Sequence, residues 1–206
     1  MAASPVVRTA AGADAADRCA AVLTDAFADD PVSVWLVADP RERGEALYEY
    51  FRLFVLHGQE AGAVHVADDG TGAHGCAVWM PSEAPDAADL DDRLREVSGR
   101  HAARFSAFGR IMHDRHPAGP AHDYLMLLGV ASARQGRGLG AALLAHRQGQ
   151  LDPAGVPTYL EATTGRAAKG LYARAGYRPH GDPIRFPGGL ETYPLWRDAR
   201  PGVTTT

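Results

Sequence analysis

The chain has 206 residues, of which 46% are hydrophobic, so it can bury one sizeable core, and we expect a single domain over residues 1–206 with an ordered core at about residues 5–198. The formal net charge of −4 and a single lysine, Lys169, leave no basic run of the kind that contacts nucleic acid, so nucleic acid is not expected as a partner. The first residues lack the pattern of a secretion signal and no apolar run approaches the roughly 20 residues of a membrane span, so we expect no membrane partner and a cytoplasmic location.

The first half of the chain alternates between strand-like and helical patterns. The segment "PVVRT" is typical of a short strand, and residues 14–27 have the apolar spacing of a helix that ends before Pro31. Residues 41–59 repeat apolar side chains at helical spacing and predict a second helix. "AVHVAD" and "AHGCAVWMP", around the turn residues "DDGTG", predict an antiparallel hairpin. One or two further helices are expected to end near residue 113.

The second half begins with the apolar stretch "YLMLLGV", which predicts a strand buried on both faces. A glycine-rich loop follows, then a helix to about residue 150, the strand "PTYLEA", a helix at residues 169–175 and the strand "YRPHGD". "IRF" and "LETYPLW" predict a final hairpin, and Pro194 favours an edge position for its last strand because proline cannot donate a ladder hydrogen bond. This order predicts the α+β class with a mixed sheet.

Two sets of residues with metal-binding chemistry are interpreted as structural. Cys19 lies in a helical pattern and Cys76 in a strand pattern, which favours two reduced, buried thiols over a disulfide or a zinc site. His113, His116 and His122 straddle a proline- and glycine-rich loop and no cysteine joins them, so we expect surface histidines and no metal.

Three glycines, Gly136, Gly138 and Gly140, lie in "RQGRGLGAALL", where the pattern changes from strand to helix. A helix leaves about four N–H groups without partners at its start, and no Ser, Thr, Asp or Asn at the glycines can cap them. The bare backbone and the helix dipole predict an anion site, and Arg134 and Arg137 favour a diphosphate. A flexible turn capped by water is the structural alternative.

The same glycines also fit the dinucleotide pattern G-x-G-x-x-A, and Glu161 lies near the expected place of a ribose-binding carboxylate. Against this reading, five residues separate Val130 from Gly136, and little chain remains for further β-α units. An oxidoreductase that binds NAD or FAD is therefore an alternative function.

The segment "QGRGLG" after Val130 resembles the Q/R-x-x-G-x-G/A signature of the GNAT superfamily of N-acetyltransferases, and "LYARAGY" at residues 171–177 resembles its L-Y-x-x-x-G-F/Y element. The resemblance implies an α+β fold with a mostly antiparallel central sheet of about six to seven strands flanked by helices. It implies an enzyme that uses acetyl-CoA as co-substrate, without a metal, to acetylate the primary amine of a small molecule by direct attack in a ternary complex. "AFADDPV", "AVWMPSE" and "GVPTYLEATT" further resemble the puromycin N-acetyltransferases, which favours an aminonucleoside or antibiotic-like acceptor.

The resemblance also implies roles for single residues. Gly129 and Val130 match a bulged, splayed strand whose backbone binds the pantetheine arm and polarises the thioester carbonyl, with close packing against a helix as the alternative for Gly129. Tyr172 matches the general acid. Glu161 matches a strand-end glutamate and is the first choice of base, with a structural carboxylate as the alternative. The loop positions that match the pyrophosphate-binding backbone are Arg134, Gln135, Gly136, Arg137, Gly138, Leu139 and Gly140.

Other expectations concern the rest of the site. Asp123 and His122 are second choices for the base. Ala168 stands where many members of the superfamily carry an asparagine that helps to anchor coenzyme A, so a catalytically silent coenzyme A-binding module is a further alternative function. The sequence does not decide between a monomer and a homodimer. The aromatic side chains expected to line the acceptor pocket are Phe27, Trp35, Trp79 and Tyr193.

Overall fold

The computed structural model describes residues 5–84 and 89–200, so the outer limits of the predicted domain lie outside the described residues. The strands are β1 Val6–Thr9, β2 Ala63–Asp68, β3 Ala73–Pro81, β4 Asp123–Val130, β5 Thr158–Ala162, β6 Arg178–Pro179, β7 Ile184–Arg185 and β8 Glu191–Arg197. The helices are α1 Ala13–Phe27, α2 Pro31–Leu36, α3 Pro40–Ala61, α4 Leu90–Ser98, α5 Ala102–Arg115, α6 Leu139–Leu151 and α7 Gly165–Ala167, which continues as a π-helical turn over Ala168–Tyr172. None of these helices has the length and apolarity that crossing a bilayer requires.

The strands form a sheet in the order β1-β2-β3-β4-β5-β8-β6, with β7 also paired to β8. Every neighbouring pair is antiparallel except β4 and β5, which run parallel. The predicted α+β class and mostly antiparallel sheet are therefore confirmed. The two-residue strands β6 and β7 raise the number of strands to eight, above the predicted six to seven.

Two hydrophobic cores lie on the two faces of the sheet, because successive side chains of a strand point to opposite faces. On β3, Cys76 and Val78 pack with α1 and α3 on one face. Ala77 and Trp79 pack with α6 on the other face. The free thiols of Cys19 and Cys76 are buried in the first core, as predicted.

Two predictions about prolines are corrected by the structure. Pro31 is not only a break after α1, because it begins α2, and Asp30 caps that helix by accepting a hydrogen bond from Val32 N at 2.9 Å. Pro194 does not mark an edge, since β8 lies between β5 and β6. Its carbonyl accepts from His180 N at 2.9 Å on the β6 side, where the missing N–H also points, so the ladder with β5 is kept.

His65 on β2 is buried with a neutral ring. Its side chain is 2% exposed, its Nδ1 has no partner among the described residues, and burial, with His146 4.7 Å away between ring centroids, lowers its pKa to about 4. Because the ring titrates near 6.5 when unfolded, the unfolded chain binds a proton before the folded chain does as the pH falls.

We therefore expect His65 to lower the free energy of unfolding by about 3 kcal/mol between pH 7 and pH 4. Urea unfolding at the two pH values measures this loss. In His65→Leu the loss should be smaller by that amount, whereas the same substitution at the exposed His180 should leave it unchanged. Equal losses in wild type and His65→Leu would contradict the assignment.

Candidate active site

The two parallel strands at the centre of the sheet pair at only two positions and then separate. Asp123 and Tyr124 of β4 lie opposite Thr158 and Tyr159 of β5, and no further pairs join these strands. The gap opens into a cavity of about 2370 Å³, which is lined by residues 124–130 of β4. This cavity edge explains why β4 is only partly buried, where the sequence predicted burial on both faces. A strand edge without a partner offers N–H and C=O groups to an extended ligand.

A β-bulge distorts β4, but at Met126 and not at Gly129. Leu125 and Leu127 lie opposite consecutive residues of β3, which leaves Met126 as the extra residue. Gly129 pairs regularly with Cys76. The bulge is therefore three residues earlier in the chain than the glycine predicted.

Gly129 instead allows close packing of α1 against β4, which was the structural alternative for this residue. A Cβ atom at Gly129 would lie 2.9 Å from Leu23 Cδ2 and 3.0 Å from Ala26 Cβ. Gly129 and Val130 nevertheless both line the cavity, so a backbone role toward a ligand stays a prediction.

The glycine-rich loop presents bare backbone to the same cavity. Gly136 and Gly138 have φ values of +76° and +85°, which disfavour other residues, and a Cβ at either would meet no atom within 4 Å. Helix α6 begins at Leu139 with Gly138 as its N-cap and without a side-chain cap. The N–H groups of its first turn are therefore available to an anion, and the helix dipole favours negative charge there.

Polar side chains hold this loop in place. Gln135 Nε2 donates to the carbonyl of Val130 at 3.2 Å, and Arg134 Nη1 lies 3.3 Å from Asp69 Oδ2. Arg134 and Gln135 line the cavity, whereas Arg137 is exposed outside it. Apart from Arg137, every predicted coenzyme-binding residue lines the cavity.

Glu161 lies on β5 and lines the cavity. Its Oε1 is buried without a hydrogen-bond partner among the described residues. Burial raises the pKa of Glu161 to about 7, although the nearby hydroxyl groups of Tyr124 and Tyr159 oppose the rise. A carboxyl group that is half ionised at neutral pH can accept and release a proton there.

Tyr172 ends the π-helical turn, and its side chain both joins the second core and lines the cavity. Its ring contacts Tyr177 edge-on at 5.9 Å between centroids. Burial, with Tyr177 and Asp30 nearby, raises the pKa of Tyr172 above its ordinary value. The phenol is therefore protonated at neutral pH and is able to act as a proton donor.

Asp30 is a cavity residue that the sequence did not reveal as a site residue. Its Oδ2 accepts from Thr163 Oγ1 at 2.5 Å, its Oδ1 caps α2, and both Asp30 and Thr163 line the cavity. Burial raises the pKa of Asp30 despite these hydrogen bonds. An aspartate directly before Pro31 is a recognisable helix-cap signal, but nothing in the sequence places it beside Thr163.

The predicted aromatic wall is largely wrong. Phe27 lines the cavity, but Trp35 packs against Phe186 at 5.8 Å between centroids, Trp79 is fully buried in the second core, and Tyr193 packs against that core. The aromatic residues that line the cavity are Phe27, Tyr50, Phe51, Phe54, Phe108, Tyr124 and Tyr172.

The second-choice bases are both engaged elsewhere. Asp123 is buried and paired with Arg147, whose Nε lies 2.8 Å from Oδ2. His122 is buried and forms hydrogen bonds with the carbonyl oxygen of Pro120 and with the ring of His116, so it is not a surface histidine. Neither Asp123 nor His122 lines the cavity. Among residues 5–84 and 89–200, no group of three or more His, Cys, Asp or Glu side chains is arranged to hold a metal.

The cavity fits a long ligand that is anionic at one end. Arg166 and Arg174 line it on the side of α7, in addition to Arg134, while Ala168 packs against the second core. These cations and the uncapped start of α6 suit phosphate groups. The unpaired edge of β4 leads from there toward Glu161 and Tyr172.

Residues 100–194 match a family model described as the acetyltransferase (GNAT) domain. Among solved structures, the chain is similar to one described as histone acetyltransferase HPA2 and related acetyltransferase from Corynebacterium glutamicum. The two chains share 31% identity over 99% of this chain and 100% of that chain, with a TM-score of 0.72.

Two more distant structures share the fold. Arylalkylamine N-acetyltransferase 2 from Aedes aegypti is 13% identical, covers 96% of this chain and 100% of its own, and has a TM-score of 0.62. An agmatine N-acetyltransferase mutant is 18% identical, covers 94% of this chain and 98% of its own, and has a TM-score of 0.60.

Proposed function

The chain belongs to the GNAT family of acetyltransferases, and on that premise we propose that it transfers the acetyl group of acetyl-CoA to the primary amine of a small molecule, by direct attack in a ternary complex. The observation that carries the proposal is one cavity that joins the glycine loop, the open edge of β4, Glu161 and Tyr172. Structurally similar proteins that are named for amine acceptors, arylalkylamine and agmatine, support an amine here.

Acetyl-CoA, when bound, supplies an acetyl group activated as a thioester. The N–H groups at the start of α6, with Arg134, Gln135 and the loop glycines, would hold its diphosphate. The edge of β4 at Gly129 and Val130 would hold the extended arm, and an N–H group there would donate to the developing oxyanion. Arg137 lies outside the cavity and is left with a longer-range attraction to the phosphates.

Glu161 is the residue that we assign to proton removal. Its carboxylate has one buried oxygen, Oε1, without a hydrogen-bond partner among the described residues, and it attracts the ammonium form of an entering amine, because a buried charge without a cation nearby is costly. With a pKa of about 7, the carboxylate then accepts a proton from the amine, directly or through water. Release of that proton to solvent returns Glu161 to its starting state.

Tyr172 is the residue that we assign to protonation of the departing sulfur, and its phenolate then regains a proton from solvent. Tyr172→Phe should lower kcat by about 10- to 100-fold with the Kd for acetyl-CoA unchanged, because the lost hydroxyl acts after the coenzyme has bound. Steady-state kinetics and calorimetric titration measure the two quantities. Tyr177→Phe is the matched control, since Tyr177 is a buried neighbour outside the cavity. Unchanged turnover in Tyr172→Phe would remove Tyr172 as the acid.

Within the primary amines, we propose an aminonucleoside or an antibiotic-like amine as the acceptor. The resemblance of "AFADDPV" and "GVPTYLEATT" to the puromycin N-acetyltransferases supports this class. The aromatic lining, with Tyr50, Phe54 and Phe108, suits a planar group on the acceptor.

The alternative of an NAD- or FAD-dependent oxidoreductase does not agree with the fold. A dinucleotide-binding domain is built on a mostly parallel sheet, whereas β4 and β5 form the single parallel pair among the described strands. The silent coenzyme A-binding module has the same fold as the enzyme, so activity decides between them.

The proposal is tested by calorimetric titration of acetyl-CoA into the protein, followed by a thiol-release assay over a panel of primary amines that includes puromycin. We expect binding and thiol release with one class of amine. Binding without release on any amine would support the silent module. No binding would overturn the assignment of the glycine loop.

A further inference from the structure

Two adjacent histidines lie beside the cavity at the start of β4. His122 Nδ1 lies 2.9 Å from the carbonyl oxygen of Pro120, and His122 Nε2 lies 3.0 Å from His116 Nε2. His122 is 3% exposed and does not line the cavity, whereas His116 is partly exposed and lines it.

The positions of the protons follow from what each partner can do. A carbonyl oxygen only accepts, so His122 Nδ1 carries a hydrogen and donates it to Pro120. When His122 is neutral, its other nitrogen is a lone-pair acceptor, so His122 Nε2 accepts and His116 Nε2 donates. His116 Nδ1 is then unprotonated and is itself a hydrogen-bond acceptor.

The Nδ1 nitrogen of His116 has no hydrogen-bond partner among the described residues, and the ring that carries it lines the cavity and is held in place. The rings of Tyr124 and Tyr159 contact the His116 ring edge-on at 4.9 Å and 5.1 Å between centroids. The His122 ring lies nearly parallel to it, with 5.0 Å between centroids. Burial and two neighbouring histidines lower the pKa of His116 to about 4, which keeps the ring neutral at pH 7.

Such a nitrogen is suited to binding and not to proton removal. A group this weakly basic is a poor base for an amine, and Glu161 is better matched to that task. Tyr124 and Tyr159 also lie beside the Glu161 carboxylate, so these two tyrosine rings separate His116 from Glu161.

We propose that His116 Nδ1 determines acceptor specificity by binding a second hydrogen-bond donor of the acceptor, a hydroxyl or N–H group other than the acetylated amine, with His122 fixing its tautomer. The inference rests on the proposed function, because it concerns the acceptor part of the same cavity. A hydroxyl or N–H group of the acceptor at this position gains one hydrogen bond to Nδ1, whereas a methyl ether in its place leaves Nδ1 without a partner.

A matched pair of amines tests the specificity. Tyramine carries a phenolic hydroxyl, and 4-methoxyphenethylamine differs from it by O-methylation. We expect His116→Phe to raise the KM for tyramine by about tenfold, as for the loss of one hydrogen bond, and to leave the KM for the ether and for acetyl-CoA unchanged. His180→Phe is the control, because His180 also contacts Tyr159 but lies outside the cavity. An equal rise in KM for both amines would show a packing role and overturn the inference.

Nitrogen-15 NMR of the histidine rings gives a readout that does not depend on turnover. We expect His116 to carry its proton on Nε2 and His122 on Nδ1, and tyramine but not its methyl ether to shift the His116 Nδ1 resonance. These results without thiol release would support the inference while the proposed function fails. A proton on His116 Nδ1, or no shift with tyramine, would overturn the inference even in an active enzyme.

Discussion

Glu161→Gln is expected to lower kcat by about 100- to 1,000-fold, because an amide cannot accept the proton of the incoming amine. In the wild type, kcat/KM should rise between about pH 6 and pH 8 as a carboxyl group with a pKa of about 7 ionises. In the variant, this rise of kcat/KM with pH should disappear. Thiol-release kinetics across this range measure both effects.

The same substitution should stabilise the fold, which separates a catalytic role from a structural one. Burial raises the pKa of Glu161 from 4.5 to about 7, so the unfolded chain ionises first and stability falls as the pH rises through this window. Glu161→Gln should therefore be more stable than wild type at pH 8, by about 3 kcal/mol at most, and no more stable at pH 4.

The control for both measurements is Glu60→Gln, at an exposed position of α3 away from the cavity. It should change neither turnover nor stability beyond about 0.5 kcal/mol. Full activity in Glu161→Gln, or a rise of kcat/KM near pH 7 that persists in this variant, would refute Glu161 as the base.

Gly136→Asp is expected to weaken acetyl-CoA binding by about 100-fold, which is about 2.7 kcal/mol. The added carboxylate would compete for the N–H groups at the start of α6 and repel the phosphate groups of the coenzyme. Calorimetric titration of acetyl-CoA measures the change in Kd.

Gly181→Asp is a closely matched control for this substitution. Gly136 and Gly181 have φ values of +76° and +77°, and a Cβ at either meets no atom within 4 Å, but Gly181 is outside the cavity. Both variants should lose about 1 kcal/mol of stability from the left-handed backbone. Only Gly136→Asp should lose affinity, and an equal loss in both would mean that the loop does not hold the coenzyme.

The sequence by itself determined the main helices and strands and the uncapped start of α6. Apolar spacing predicted α1 and α3 to within two residues at each end and both strands of the β2-β3 hairpin, because these patterns are local and each secondary structure has its own period. The glycines at 136 and 138 marked an uncapped helix start for the same reason, since left-handed backbone and missing caps are properties of neighbouring residues.

The tertiary structure decided what depends on segments far apart in the chain. Long-range strand pairing decides where β4 separates from β5. It also places β8 beside β5, so that Pro194 lies inside the sheet and not at its edge. The contact of Asp30 with Thr163 joins residues 133 positions apart. The pKa of Glu161 near 7 arises from its burial, which the tertiary structure creates. The prediction of the aromatic residues around the acceptor was largely wrong because local spacing shows which residues share a face but not whether that face borders a cavity.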